Sequence, residues 1–443
     1  MTSTLEQLRA GQLSGARRLK LACGLTEFPR EIFDLADTLE ILDLSGNALS
    51  ALPDDFARLR KLRILFASGN PFTELPEVLG QCPQLSMIGF KANRIRSVPG
   101  SALPPRLRWL ILTDNEIDAL PREIGQCTQL QKLMLAGNRL RCLPEELAAC
   151  SRLELLRLAA NQFDALPAWL LRMPRLTWLA YAGNPFSEVL EAAAWVDTPI
   201  ADIPWNDLHL QAQLGEGASG VIYRAEHGGA SRPVAVKLFK GAVTSDGLPD
   251  CEMAACIRAG DHANLIAVTG KVKDHPADLH GLVMELVDPQ FRNLAGPPSF
   301  ESCTRDVYDA DASFDVADVV TMAHGIASAA CHLHRRGVMH GDLYAHNILH
   351  DGRARVLLGD FGAASFYSTG NPDLSTALER LEVRAYGCLL EEWIDRCNAS
   401  VSGEQAGVVE QLTKLKDRCL NDDVQSRPLF EQIVSALPVL KIR

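Results

Sequence analysis

One pattern of apolar and polar positions repeats along the first 190 residues of the chain. Leucines alternate with other residues over a short segment, an asparagine follows, and a proline comes six positions after each of the first six asparagines. The asparagines recur every 22 or 23 residues, at Asn47, Asn70, Asn93, Asn115, Asn138, Asn161 and Asn184. A fixed period of this length predicts structural units that stack on one another, because no single unit can bury its own apolar face.

The unit that runs from Leu39 to Lys61 shows how the pattern becomes structure. Leu42 and Leu44 are expected to point inward from a short strand, since side chains alternate along a strand. The Asn47 amide is expected to bond backbone groups where the chain turns. Pro53 lacks an N–H and therefore ends the ladder before a short helical or extended return.

These motifs resemble those of leucine-rich-repeat proteins over roughly residues 16–187, with a degenerate first unit near Leu19. The resemblance implies an α/β solenoid with a concave sheet. Outward strand positions on that sheet are predicted to bind a partner or the chain's own second half, because contiguous apolar area marks contact sites. The residues concerned are Ile64, Phe66, Trp109, Ile111, Met134 and Trp178. Scattered exposed apolar residues without a dedicated ligand are the alternative interpretation.

The repeat pattern stops after Pro185, and residues 191–206 are predicted to cap the last repeat and link two domains. From about residue 207, short β-type runs come first and helical periodicity follows, as in the amphipathic segment 315–336. Strands followed by helices predict a bilobal α+β domain. The predicted organisation is therefore a repeat domain over residues 1–190, with about eight repeats, and a second domain over 207–440.

Composition narrows the possible functions. The 443 residues are 47% hydrophobic and 22% charged, with a net charge of −11, and such an acidic chain argues against nucleic-acid binding. We expect no signal peptide, because the opening segment lacks an unbroken apolar core. We also expect no membrane span, because no apolar stretch approaches about 18 residues. The 12 cysteines form no framework and are expected to be free thiols. A cytoplasmic location is predicted, with secretion by a signal-independent route left open.

Glycines and a lysine in the second half indicate a phosphate-binding site. Residues 215–220 form a Gly-x-Gly-x-x-Gly run, and the strand predicted after it indicates a hairpin over phosphates rather than a dinucleotide fold. Lys237 closes an apolar strand, where its charge needs a partner. Glu252, on the next predicted helix, is the candidate partner.

Two acidic motifs further along complete the chemistry. Asp342 and Asn347 lie five residues apart on a predicted tight loop, and Asp360 opens an Asp-Phe-Gly motif behind an apolar strand. Asp342 could accept the proton of an attacking hydroxyl, while Asn347 and Asp360 could bind Mg²⁺. The ordered set at these intervals is far more specific than any one motif.

In this order the motifs resemble those of protein kinases over about residues 205–440, and the whole is similar to bacterial leucine-rich-repeat serine/threonine kinases. The resemblance implies ATP and Mg²⁺ as cofactors, Asp342 and Lys237 as catalytic residues, and Asn347 and Asp360 as metal ligands. It also implies cofactor-binding residues, with Met284 as gatekeeper: Leu214, Gly215, Glu216, Gly217, Ala218, Ser219, Gly220, Ile222, Ala235, Lys237, Glu252, Met284 and Glu285. The repeats would then recognise a protein partner or regulate the kinase.

The sequence departs from the kinase pattern in three places. Gly341 replaces the arginine before the base, which predicts activity without phosphorylation of the activation segment. Tyr344 replaces a lysine and removes one positive charge. No Ala-Pro-Glu follows Asp-Phe-Gly, and Glu379 or Glu382 is predicted to pair with Arg427. A small-molecule phosphotransferase, in which glycine also precedes the aspartate, and a non-catalytic nucleotide-binding scaffold remain alternatives.

Overall fold

The structure is a computed structural model that describes residues 4–197, 200–217, 219–228, 233–241, 243–244, 246–397 and 403–438. Contacts within the chain divide it into two compact units, Met1–Met173 and Pro174–Arg443. Strand β8 and helix α2, at the end of the repeat pattern, therefore belong to the second unit: Trp178–Ala180 and Pro185–Asp197.

The first unit is a stack of short parallel strands that follows a helix, α1, Thr4–Arg9. Strands β1 to β7 are Arg18–Lys20, Ile41–Asp43, Ile64–Phe66, Met87–Gly89, Trp109–Ile111, Lys132–Met134 and Leu155–Arg157. Neighbouring strands pair in register, so that Leu42 lies opposite Leu65, and both are fully buried. The predicted α/β solenoid is confirmed.

The asparagine side chains, one in each repeat after the degenerate first one, form a ladder of hydrogen bonds that explains the period of 22 or 23 residues. Asn138 Nδ2 donates to the carbonyls of Leu112 and Leu135, both at 2.9 Å, and its Oδ1 accepts from the Ile117 N–H at 3.0 Å. The asparagines from Asn47 to Asn161 each link two neighbouring repeats in this way, through backbone groups that would otherwise be buried without partners. Asn47 makes the predicted contacts at its own turn, with the Leu21 and Leu44 carbonyls.

The strands end about ten residues before the prolines, as Ile41–Asp43 does before Pro53, so proline does not itself end the strand as predicted. The return that follows the proline is helical, which is one of the two predicted forms. Short 3₁₀ helices begin immediately after Pro76, Pro121 and Pro144, in the segments Glu77–Gln81, Arg122–Gln126 and Glu145–Ala149. A 3₁₀ helix suits this role because it covers few residues per turn and extends farther per residue than an α-helix.

The apolar side chains on the predicted outward face of the first unit are less exposed to solvent than the sequence predicts. Ile64 is buried, and the partly buried members are Phe66, Trp109, Ile111 and Met134. The Trp109 ring is covered on one side by Lys132, whose Nζ lies 4.4 Å from the ring centroid. Its Nε1 lies 3.3 Å from Met134 Sδ. Partner binding at this face stays a prediction.

The second unit contains a six-stranded sheet with one helix packed near it. The strands are β9, Ala201–Pro204; β10, Leu208–Glu216; β11, Gly220–His227; β12, Val234–Phe239; β13, Val268–Lys273; and β14, Gly281–Glu285. They lie in the order β10-β11-β12-β14-β13-β9, antiparallel except for the β9–β13 pair. Helix α3 spans Pro249–Ala259.

Helices dominate the rest of the second unit, which completes the predicted bilobal α+β domain. They are α4, Val316–Arg335; α5, Pro372–Ile394; α6, Glu404–Cys419; and α7, Phe430–Ala436. Five short strands lie among them: β15, Arg292–Asn293; β16, Val338–Met339; β17, Ile348–His350; β18, Val356–Leu358; and β19, Ser365–Phe366. Tyr386 on α5 donates to the Ala323 carbonyl on α4 at 3.0 Å.

Helix α4 is the one segment of the described chain that is long and apolar enough to cross a bilayer, by length and composition alone. Most of it is buried in the second unit, and the core helix of a folded domain has the same composition. The sequence pattern predicts no membrane span. The helix is therefore weak evidence for a membrane span.

Candidate active site

A buried ion pair joins the sheet to helix α3. Lys237 on β12 contacts Glu252 on α3 through its Nζ, and both side chains are shielded from solvent, with Glu252 only 1% exposed. Although burial lowers the pKa of Lys237, the carboxylates of Glu252 and Asp360 raise it more. The lysine is therefore held as a cation in a place where an isolated charge would be costly.

The ion pair lies in a cavity of about 220 Å³. Predicted residues that line it, besides the pair itself, are Gly217, Ser219, Gly220, Ile222, Met284 and Asp360. Thr244, Asp246 and Cys256 also line it, and no sequence signal had pointed to them. The cavity thus combines the Lys237 cation, the carboxyl groups of Asp246, Glu252 and Asp360, and a glycine-rich edge.

The glycine-rich edge is the hairpin between β10 and β11. The Gly217 N–H donates to the Gly220 carbonyl at 2.9 Å, which closes the turn. A Cβ at Gly220 would lie 2.5 Å from the Leu238 carbonyl oxygen, so only glycine fits there. At the outer end of the hairpin Glu216 pairs with Lys240 at 2.6 Å. Ala218, predicted to bind the cofactor, lies outside the described residues.

Asp342 and Asn347 face each other across one tight loop. Asn347 Nδ2 donates to Asp342 Oδ2 at 2.7 Å and to the Asp342 carbonyl at 2.9 Å. Since the amide nitrogen is used in this way, the Asn347 amide oxygen is the atom left for a cation. The Gly359 N–H donates to the Asn347 carbonyl at 2.9 Å and brings the next residue, Asp360, to the same loop.

Asp360 has a strained backbone. Its φ of 54° lies in the left-handed region, which is uncommon for residues other than glycine, and its Oδ1 accepts from the Gly362 N–H at 3.1 Å. Strain of this kind persists where surrounding structure enforces it, and it clusters at functional sites. His340 Nε2 lies 2.9 Å from the Gly359 carbonyl and ties the loop of Asp342 to this segment.

Some predicted cofactor residues lie away from the cavity lining. Leu214 is 51% exposed, and Gly215 and Glu216 continue the same hairpin strand. Ala235 lies opposite Met284 in the β12–β14 ladder, and Glu285 is exposed at the end of β14. Lys237, Glu252 and Asp360 are brought together at the cavity. Hydrogen bonds of Gly359 with Asn347 and His340 connect the segment that carries Asp360 to the Asp342–Asn347 loop.

His346 is a further titratable group near the site that the sequence analysis does not identify. His346 Nδ1 lies 2.7 Å from Asp306 Oδ1, whose side chain is fully buried. Although burial lowers the pKa of His346, the hydrogen bond with Asp306 and the charges of Asp306, Asp342 and Asp360 raise it. The pKa of His346 is therefore raised near Asp342, where Tyr344 leaves one positive charge fewer than the kinase pattern has. The position of His346 inside the Asp342–Asn347 motif is the sequence feature that could have identified it.

The predicted pairing of Arg427 with Glu379 or Glu382 is wrong. Glu382 instead accepts from the backbone N–H groups of His340 and Gly341, at 3.2 and 2.6 Å. It also lies 2.8 Å from His334 Nε2.

Glu379 and Arg427, the other two residues of this prediction, make hydrogen bonds with other groups. Glu379 accepts from the Phe430 N–H at 2.7 Å. Arg427 donates to backbone carbonyls, those of Asn421, Arg380 and Pro174. Sequence spacing could not show that the Glu382 carboxylate would accept hydrogen bonds from the loop before Asp342.

Comparison with known families agrees with this geometry. Residues 208–385 match the protein kinase domain family, and residues 14–72 and 105–163 match the leucine rich repeat family. The chain carries leucine-rich repeats followed by a protein kinase domain. The kinase match spans the glycine hairpin, the ion pair, the Asp342–Asn347 loop and Asp360.

The kinase domain is similar to several known kinases at low identity. Human calcium/calmodulin-dependent protein kinase type IV is 27% identical over 45% of this chain and 41% of its own length. The serine/threonine-protein kinase PITSLRE of Drosophila melanogaster is 26% identical over 40% of this chain and 18% of its own length. Rat ephrin type-A receptor 8 is 25% identical over 53% of this chain and 70% of that sequence. The chain thus spans less than half of the first two relatives.

Proposed function

We propose that the protein is an ATP- and Mg²⁺-dependent protein kinase that transfers a phosphoryl group to hydroxyl side chains, with serine or threonine as the acceptor. One observation carries the proposal: Lys237, Glu252 and Asp360 share a cavity edged by the glycine hairpin. A cation held beside carboxylates at a glycine-rich hairpin suits a bound polyphosphate.

Each residue then has a role that its position supports. Lys237 orients the phosphates, and Glu252 keeps it in place. Asp342 orients the acceptor hydroxyl and accepts its proton, while the Asn347 amide holds the Asp342 carboxylate at 2.7 Å. Catalysis by such a site rests on positioning and charge rather than on covalent chemistry.

The donor set fits a magnesium ion. Mg²⁺ binds oxygen ligands and usually one or two carboxylates together with substrate phosphates. Asn347 and Asp360 would supply an amide oxygen and a carboxylate, and the ion would neutralise charge on the phosphates when bound. Glu252 Oε2 is buried without a hydrogen-bond partner among the described residues. Burial raises the pKa of this carboxyl, although the charge of Lys237 opposes that shift.

The test is transfer of labelled γ-phosphate from ATP to the chain itself or to a general protein substrate. Lys237→Met and Asp342→Ala should each reduce incorporation by at least about 10²-fold, since general-base catalysis alone contributes about 10²–10⁴-fold. Arg224→Met, on the neighbouring strand β11, is the matched control. Unchanged incorporation in both site variants would refute the assignment.

One observation favours a second candidate, a small-molecule phosphotransferase. Only residues 363–371 separate the Asp-Phe-Gly motif from helix α5, and they include the short strand β19. This leaves little chain to form a platform for a peptide. The same assay with small alcohols in place of protein separates the two candidates, because only one acceptor class should become labelled.

For the repeats we propose recognition of a protein partner or regulation of the kinase domain. The support is the apolar outward face, which includes Phe66, Trp109 and Met134. The twelve cysteines, all free, support a reducing compartment and hence a cytoplasmic protein.

A further inference from the structure

Strand β8, which carries the repeat pattern, contacts the loop of Asp342 within the second unit. Trp178 stacks on Tyr344, with ring centroids 4.1 Å apart and an interplanar angle of 8°. Its Nε1–H donates to the Leu343 carbonyl at 3.2 Å. Trp178 is 2% exposed, so this contact is fully shielded from water.

Tyr181, just after β8, reaches the segment that follows Asp-Phe-Gly. Its backbone N–H donates to Ser365 Oγ at 2.9 Å, and its hydroxyl donates to the Phe366 carbonyl at 3.2 Å. Ser365 and Phe366 form β19, which pairs with β16, Val338–Met339, directly before the loop of Asp342. The residues Trp178–Tyr181, here called the brace, therefore contact the chain both at that loop and after Asp360.

Both departures from the kinase pattern in this loop lie against the brace. Gly341 has a φ of 73°, and a Cβ there would lie 2.7 Å from the Leu179 carbonyl oxygen. Tyr344 supplies the ring on which Trp178 stacks. An arginine at position 341 would overlap the strand, and a lysine at position 344 would remove the stacking partner.

We propose that the brace is a positioning element that holds Asp342 and the segment after Asp360 in their working geometry without a phosphorylated activation segment. The inference rests on the proposed kinase function and goes beyond it, because it assigns a part in phosphoryl transfer to the last repeat. Trp178 and Tyr181 act through the backbone of the loop.

The test compares two buried tyrosine hydroxyls in the full-length chain. Tyr181→Phe removes the bond to Phe366, while Tyr386→Phe removes an equivalent bond to Ala323 in the core between α4 and α5. Losing one hydrogen bond corresponds to roughly a 3- to 10-fold effect. We expect Tyr181→Phe to lower kcat by that factor with KM for ATP unchanged. Tyr386→Phe should leave kcat within about twofold of the wild type.

Hydrogen–deuterium exchange on the nucleotide-free chain gives a readout that needs no activity. Tyr181→Phe and Trp178→Phe should speed exchange in residues 341–347 and 365–367, and Tyr386→Phe should not. Equal loss of kcat in the two tyrosine variants, or unchanged exchange in these segments, would overturn the proposal. A wild-type chain that transfers no phosphate would refute the kinase function, and the exchange result would then decide the brace alone.

Discussion

Replacing Gly341 by alanine tests how closely the chain is packed before the proposed base. The substitution adds one methyl group at a residue with a φ of 73°. Two backbone oxygens stand in its way, those of Ala363 at 2.5 Å and Leu179 at 2.7 Å. Both distances are far below van der Waals contact, and neither oxygen belongs to a flexible side chain that could turn aside.

The expected loss in the free energy of unfolding has two parts. A left-handed backbone costs a residue other than glycine about 1–2 kcal/mol. Overpacking against fixed backbone adds about 1–3 kcal/mol. Gly341→Ala should therefore lower the free energy of unfolding of the second unit by about 2–5 kcal/mol. It should also reduce phosphoryl transfer, since the loop must shift to relieve the overlap.

Gly352→Ala is the matched control, because Gly352 has a φ of 78° with no atom within 4 Å of the added Cβ. Only the backbone part applies there, so the expected loss is about 1–2 kcal/mol. Urea unfolding followed by hydrogen exchange at the amides of α4 and α5 reports the second unit by itself. Equal losses for the two variants would show that the contacts of Gly341 with Leu179 and Ala363 do not constrain the loop.

Three further predictions concern other parts of the molecule. Glu382→Gln should cost about 3–5 kcal/mol, since it breaks a buried charged network, whereas Glu379→Gln should cost about 1 kcal/mol in the same urea assay. Burial raises the pKa of Glu382, but His334 and the Gly341 N–H lower it by more, so that the net shift is downward. Its contribution is therefore present above a pH of about 4.3 and is lost as pH falls through the depressed pKa; a variant with unchanged acid sensitivity would contradict this. Alanine at both exposed sites, Ser368 and Thr369, should preserve kcat within about twofold, and loss of activity in the folded variant would show that phosphorylation is required. Asn138→Ala should lower the free energy of unfolding of the first unit by about 2–4 kcal/mol through three lost backbone bonds, and a loss below about 0.5 kcal/mol would contradict the ladder's role.

The solenoid could be predicted almost completely because its determinants are local. An asparagine such as Asn138 bonds backbone groups of its own repeat and of the preceding repeat. The spacing of the asparagines is therefore enough to predict these hydrogen bonds. Lys237 could be assigned for a similar reason, since a charged residue that closes an apolar strand requires a partner. Its contact with Glu252 agrees with that reasoning.

Long-range choices among similar partners could not be predicted. Either Glu379 or Glu382 satisfied the spacing rules for Arg427, yet one carboxylate serves the loop before Asp342 and the other a helix end. The stack of Trp178 on Tyr344 joins residues far apart in sequence, and periodicity gives no information on such pairs. The only signal was indirect, in the unusual residues at positions 341 and 344.

The place of β8 in the second unit has a consequence for recombination, in evolution or in the laboratory. A chimaera that exchanges everything before Pro174 keeps the Trp178–Tyr344 stack and the bond from Arg427 to the Pro174 carbonyl. A crossover at the change of composition near residues 191–206 would separate Trp178 from Tyr344 and expose the face of the tyrosine ring. The fragment that can be exchanged as a whole therefore begins inside the repeats, and the last leucine-rich repeat stays with the kinase domain.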